Sequence, residues 1–156
     1  SPQDIDALMA ATDPRRVGLL FDTGHAWYGG ATDVVALLRR HVARVVHVHC
    51  KDVRPQVIAQ ARNDGWSFLT GVLNGTFTVP GDGIIDWPHI RETLGAVGFD
   101  GWIVLELSCP AGPLGDVLSA ALEESRRIAT KAGMAYIQAK HLLIASTSSG
   151  CASTGE

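Results

Sequence analysis

The stretch VVHVHCKD, residues 45–52, alternates strictly between two kinds of side chain. Val46, Val48 and Cys50 fall on one side of an extended chain, and His47, His49 and Lys51 on the other, because successive strand residues point to opposite faces. An apolar side suits packing against helices. A side made of two imidazoles and an ammonium suits a polar site at the end of the strand. Two more apolar runs share this character: residues 17–21, ending in Asp-Thr-Gly, and WIVLEL, residues 102–107.

Helical patterns separate the three runs. Ser1 before Pro2 reads as an N-cap with proline in the first turn, and Ile5, Leu8 and Met9 share one face until Asp13-Pro14 stops the helix. Thr32-Asp33 opens a second helix with Val35, Leu38 and Val42 on one side. Its late Arg39, Arg40 and His41 suit the negative end of the helix dipole. A third spans residues 55–62, followed by a loop containing Trp66, Phe68 and Pro80 and closing in a PGDG turn. Asp86 caps a fourth, with Ile90, Leu94 and Val97 inward and Gly98 after its end. Residues 116–131 form the last, with Val117, Ala121, Leu122 and Ile128 as its stripe and Gly133 closing it. Strands alternating with helices predict parallel strands and an α/β fold. Beyond Ala132 the composition turns to Ser, Thr and Gly, so residues 133–156 read as a flexible tail or one unrelated to the domain at 1–132.

Composition narrows the function classes. The 156 residues are 46% hydrophobic and 19% charged, the mix of a globular domain. A net charge of −3 with scattered Lys and Arg argues against a nucleic-acid partner, which needs a clustered basic surface. No apolar run approaches the roughly 20 residues of a membrane span, and the first residues lack the basic and apolar regions of a secretion signal. Cys50, Cys109 and Cys151 form no Cys-x-x-Cys pair, which points to a reducing cytoplasm and not to a disulfide framework.

In parallel α/β folds, ligands gather at the carboxyl ends of the strands. Each of the three strands ends in a metal-ligand residue type: Asp22, His49 and Glu106. Any one of these alone reads as a turn residue or a satisfied core group; three at equivalent positions favour a shared site. Carboxylates with a neutral imidazole suit Mn²⁺, Co²⁺, Mg²⁺ or Zn²⁺. Such an ion can polarise a ketone and hold the enediolate left when the α-proton departs. His25 is placed where it can contact substrate or shuttle a proton, or else be a surface histidine. Lys51 and Arg54 can bind substrate oxygens, with solvation the alternative for Arg54. His47 reads as a hydrogen-bonder one layer below His49, and His41, His89 and His141 as solvent-facing. No Gly-x-Ser-x-Gly elbow or phosphate loop is present, and Cys50 faces the helix side, away from any nucleophilic role.

At FDTGHAWYGG, VVHVHCKDVR and WIVLEL the chain resembles the last three strands of the xylose-isomerase-like TIM barrels, a superfamily of sugar isomerases, epimerases and dehydratases. More narrowly, HVHCKDVRPQVI, GWSFLTGVLNGTFTVPGDGIIDW and GFDGWIVLE are similar to the inosose dehydratase family. The resemblance covers about residues 1–106. It implies that the chain is the C-terminal part, about three βα units, of a (β/α)₈ barrel, which takes about 250 residues in all. It implies Asp22, His49 and Glu106 as three of four metal ligands, the fourth being a Glu on the preceding strand. It further implies dehydration of 2-keto-myo-inositol with Mn or Co, glutathione as a candidate additional cofactor, Glu106 as base or acid, and His25 as substrate contact or proton shuttle. After Glu106 the sequence LSCPAG departs from the acidic stretch of that family. Alternatives of other classes are an isomerase or epimerase of the same superfamily, a metal-dependent endonuclease on a related barrel, and a non-catalytic half-barrel. Exposed strand edges in a partial barrel favour a homo-oligomer.

Overall fold

The computed structural model describes residues 1–106. The expected helix at 116–131, the tail, Cys109, Cys151 and His141 lie outside the described residues. The elements run α1 (Pro2–Ala11), β1 (Leu19–Asp22), α2 (Thr23–Tyr28), α3 (Val34–His41), β2 (Val45–Cys50), β3 (Asp52–Val53), α4 (Pro55–Asn63), α5 (Phe68–Leu73), β4 (Phe77–Thr78), α6 (Trp87–Ala96) and β5 (Trp102–Leu105). β1, β2 and β5 form a parallel sheet in that order, as the alternation of strands and helices predicts. No helix among the described residues is long and apolar enough to cross a membrane.

The helix starts are set by local chemistry. Ser1 and Asp4 form a reciprocal capping box ahead of α1. Asp33 and Asp86 accept from the backbone N–H of Ala36 and His89 to cap α3 and α6. α3 buries Val34, Leu37, Leu38 and His41, a clean i, i+3, i+4, i+7 stripe. That stripe is one position away from the expected Val35–Leu38–Val42 face. The displacement carries His41 inward, contrary to the expected solvent-facing position, because Asp6 of α1 meets its Nε2 at 2.6 Å. His89, expected outside, is exposed.

One side of the sheet is covered. Phe21 and Val48 point into an apolar layer with Leu37 and Leu38 of α3 and Ile90 and Leu94 of α6, which pack on each other. On the opposite side Leu20, His47 and Trp102 stand in register, and Leu20 and Trp102 are largely exposed. Val46 departs from the strict alternation: it is exposed, and Val45 is buried in its place. The register shows why. Leu19 pairs with Val45 and Leu20 with His47, so Val46 is an extra residue bulged out of the ladder. Val97, expected inward, is exposed because α6 ends at Ala96 and the chain turns away. Leu8 of α1 is exposed as well.

Two predicted irregular regions are ordered. The Asp-Thr-Gly turn is the start of α2, with Asp22 as its N-cap. The loop after α4 contains α5 and β4, and β4 pairs antiparallel with β3, matching Val53 to Phe77 and Asp52 to Thr78. This excursion builds a wall beside the carboxyl ends of the strands.

Candidate active site at the strand ends

Register brings the predicted ligands together. Asp22 pairs with His49, His49 with Val104, and Glu106 continues the ladder by donating its backbone N–H to the Cys50 carbonyl at 3.1 Å. Asp22, His49 and Glu106 offer ligand atoms that all lie within 4.8 Å of one another. His49 Nδ1 is 2.9 Å from Glu106 Oε2 and 3.8 Å from Asp22 Oδ2. Asp22 is oriented by its other oxygen, Oδ1, which accepts from the His25 backbone N–H at 2.8 Å. His47 lies below, its ring 5.1 Å from that of His49 and edge-on to it.

Lys51 reaches the middle of this group. Its side chain is buried, and Nζ donates to Glu106 Oε1 at 2.6 Å, lies 3.6 Å from Asp22 Oδ2 and is 3.3 Å from His25 Nε2. A buried ammonium needs such partners, since an unpaired charge there would be costly. Burial alone would push the Glu106 carboxyl up. The hydrogen bond and charge of Lys51, with those of His49, outweigh that and hold it below the usual carboxylate range. Glu106 is therefore ionised at neutral pH. Gly24 is required here by space: a Cβ would sit 2.9 Å from Lys51 Cγ.

His25 is half exposed at the mouth of the group, 4.0 Å from Asp22 Oδ2. Arg54 is turned to the wall: its guanidinium donates to the Gly75 carbonyl at 3.0 Å and to Thr78 Oγ1 at 2.7 Å, and pairs with Asp82. The structure does not bring it into the triad. Cys50 is buried on the helix side, and burial pushes its thiol up to about 12, in keeping with no nucleophilic role.

Sequence reasoning missed two supporting residues. Thr23 is fully buried; its hydroxyl donates to the Lys51 carbonyl at 2.7 Å and accepts the Lys51 N–H at 3.0 Å, tying the end of β1 to the end of β2. Its only signal was its place within Asp-Thr-Gly. Asp52 is also fully buried and accepts from the N–H groups of Val53, Gly81 and Ile85 and from Trp87 Nε1 at 2.8–3.0 Å. It anchors the PGDG turn, where a Cβ on Gly83 would come within 2.3 Å of Asp52 Oδ1. The paired glycines of that turn were the available signal. A third omission is the aromatic group of Tyr28, Phe68 and Phe77 around His25.

Parallel strands with a carboxylate–imidazole cluster at their carboxyl ends place the chain among α/β folds that build their sites at the strand ends. Residues 1–137 match the family model described as xylose isomerase-like TIM barrel, and the chain belongs to that family. Within it, the chain is 54% identical over 105 residues to an inosose dehydratase of Klebsiella pneumoniae subsp. pneumoniae, an alignment covering 66% of this chain and 35% of that one. It is 53% identical over 104 residues to the rhizopine catabolism protein MocC of Rhizobium meliloti, covering 67% and 31%, and 48% identical over 104 residues to an inosose dehydratase of Geobacillus thermodenitrificans, covering 67% and 35%. The chain thus spans about a third of the length of these relatives. A xylose isomerase domain protein from Planctomyces limnophilus shares the fold at a TM-score of 0.58 and 20% identity, over 86% of this chain and 45% of that one.

Proposed function

We propose that this chain is the C-terminal part, about three βα units, of a barrel hydro-lyase that removes water from a cyclic keto-polyol. The names of the relatives suggest 2-keto-myo-inositol as the substrate. The observation that carries this reading is the convergence of Asp22, His49 and Glu106 with Lys51 and His25 at adjacent strand ends. The triad fits a divalent cation, Mn²⁺ or Co²⁺ in this proposal. Two carboxylates and an imidazole suit such ions, and the 4.8 Å spread of donor atoms is about the width of one donor shell. When bound, the ion supplies polarisation of the substrate carbonyl and an adjacent hydroxyl.

The chain's own residues do the rest. Glu106, ionised by its contacts with Lys51 and His49, takes the proton from the carbon next to the carbonyl. Lys51 holds substrate oxygens in register with that carboxylate. His25, at the open mouth, delivers a proton to the β-hydroxyl, which leaves as water while the carbon–carbon double bond forms. Arg54, engaged by the hairpin and Asp82, keeps the wall of the site in place.

Calorimetric titration of the chain with Mn²⁺ or Co²⁺ tests the site. Submicromolar binding of one ion is expected, weakened at least about tenfold by Glu106→Gln. Equal affinity in that variant would remove Glu106 from the ligand set. With keto-inositol, the conjugated product of dehydration gains ultraviolet absorbance; an epimerase would leave the spectrum unchanged.

A further inference from the structure

Phe68 opens α5 and is about half exposed, although it is a large apolar side chain beside a charged cluster. It does not hang free. Its ring lies 5.2 Å edge-on from Tyr28 and 6.1 Å from Phe77, and is stacked near-parallel on His25 at 6.0 Å with an interplanar angle of 28°. Phe77, fully buried beneath, sits 5.0 Å from His25, and its ring carries the Lys51 ammonium 4.9 Å above its centroid. A chain of contacts therefore runs from the Asp22–Glu106 carboxylates through the buried Lys51 to His25 and on to the half-exposed Phe68 ring. The polar end can seat a carbonyl and its neighbouring hydroxyl; the Phe68 ring has no hydrogen-bonding group for further hydroxyls.

We infer that Phe68, braced by His25, Tyr28 and Phe77, is a stacking platform that selects substrates built on a saturated six-membered ring with equatorial hydroxyls. This inference rests on the functional reading above. Equatorial hydroxyls leave the two faces of such a ring lined by C–H groups, slightly positive and apolar. The face of an aromatic ring is the negative part of its quadrupole, so the two faces attract while the hydroxyl rim stays hydrated or hydrogen-bonded. A short acyclic ketose has no such face. It can use the polar end but gains nothing from Phe68.

Saturation-transfer NMR on the chain loaded with Mn²⁺-free buffer and with diamagnetic Mg²⁺ tests this, irradiating aromatic protons in the presence of 2-keto-myo-inositol or dihydroxyacetone. The ring protons of the keto-inositol are expected to receive strong saturation, and the methylene protons of dihydroxyacetone clearly less. Phe68→Leu keeps an apolar side chain but removes the π face; it is expected to weaken keto-inositol binding about fivefold. Phe68→Tyr keeps the ring and is expected to bind like the wild type, which separates stacking from a folding defect. Unchanged binding in Phe68→Leu overturns the platform and leaves the functional reading standing. A wild-type chain that does not bind keto-inositol overturns that reading, and the platform with it.

Discussion

Asp52 holds its carboxylate where water cannot reach, and both oxygens are filled by protein donors. Oδ1 accepts from Val53 and Ile85, and Oδ2 from Gly81 and the Trp87 indole. Removing the carboxylate strands these donors, and each unpaired buried group costs ~1–3 kcal/mol. Asp52→Ala is therefore expected to lower stability by at least about 3 kcal/mol, read from the midpoint of guanidinium unfolding; a change below about 1 kcal/mol would contradict the anchoring role. The sequence places Asp52 at the end of the alternating strand, but three of its donors lie 29–35 residues further on. No local pattern encodes that meeting. Asp22, His49 and Glu106 were legible for the opposite reason: each occupies the same kind of position, and equivalence of position can be read from a string.

Between elements, α1 is fastened to α3 by charge. Asp6 meets His41 Nε2 at 2.6 Å and also pairs with Arg40, and Arg44, just after α3, donates to the carbonyls of Met9 and Val17. The hydrogen bond from His41 is the main reason the Asp6 carboxyl is held below its ordinary range; burial opposes it, and the charge of Arg40 assists. A carboxyl lowered in the folded state adds stability that is present above the unfolded-state range and is lost as pH falls through the folded value. Asp6→Asn is thus expected to flatten the decline of melting temperature on the acid side while leaving its shape above neutrality alone. An unaltered acid limb in thermal melts would show that the contact is not coupled to folding. Helix starts were readable because a capping residue acts within one turn. The burial of His41 was not, because its partner comes from another helix.

Across the whole molecule the sheet has two unlike faces. Phe21 and Leu20 are neighbours in β1, yet Phe21 is in the core and Leu20 is half exposed. Phe21→Ala is expected to cost ~3–5 kcal/mol, the range for emptying a buried aromatic site. Leu20→Ser is expected to stay within about 0.5 kcal/mol, as exposed positions do. Denaturant midpoints of the pair decide it, and equal losses would mean that the open face is packed in solution. The open face carries His47 and leads to His49, so the side that no helix covers among the described residues also presents the triad. In the proposed barrel this is the inward face.

The sequence by itself determined the alternation of the three main strands with helices, the parallel sheet, the caps of α1, α3 and α6, and the equivalent placement of Asp22, His49 and Glu106 at the strand ends. Each of these follows from residues acting within a turn of helix or from the two-residue repeat of a strand. Only the tertiary structure decided the bulge at Val46, the inward turn of His41 and the β3–β4 wall. It alone also showed the staple of Thr23, the anchor of Asp52 and the aromatic group around His25. These depend on which distant segments meet, and on whether a buried polar group finds its partner there. Lys51 stands between the two cases. Its face was legible from alternation, but its contact with Glu106, 55 residues away, exists only because β2 and β5 are neighbours in the sheet.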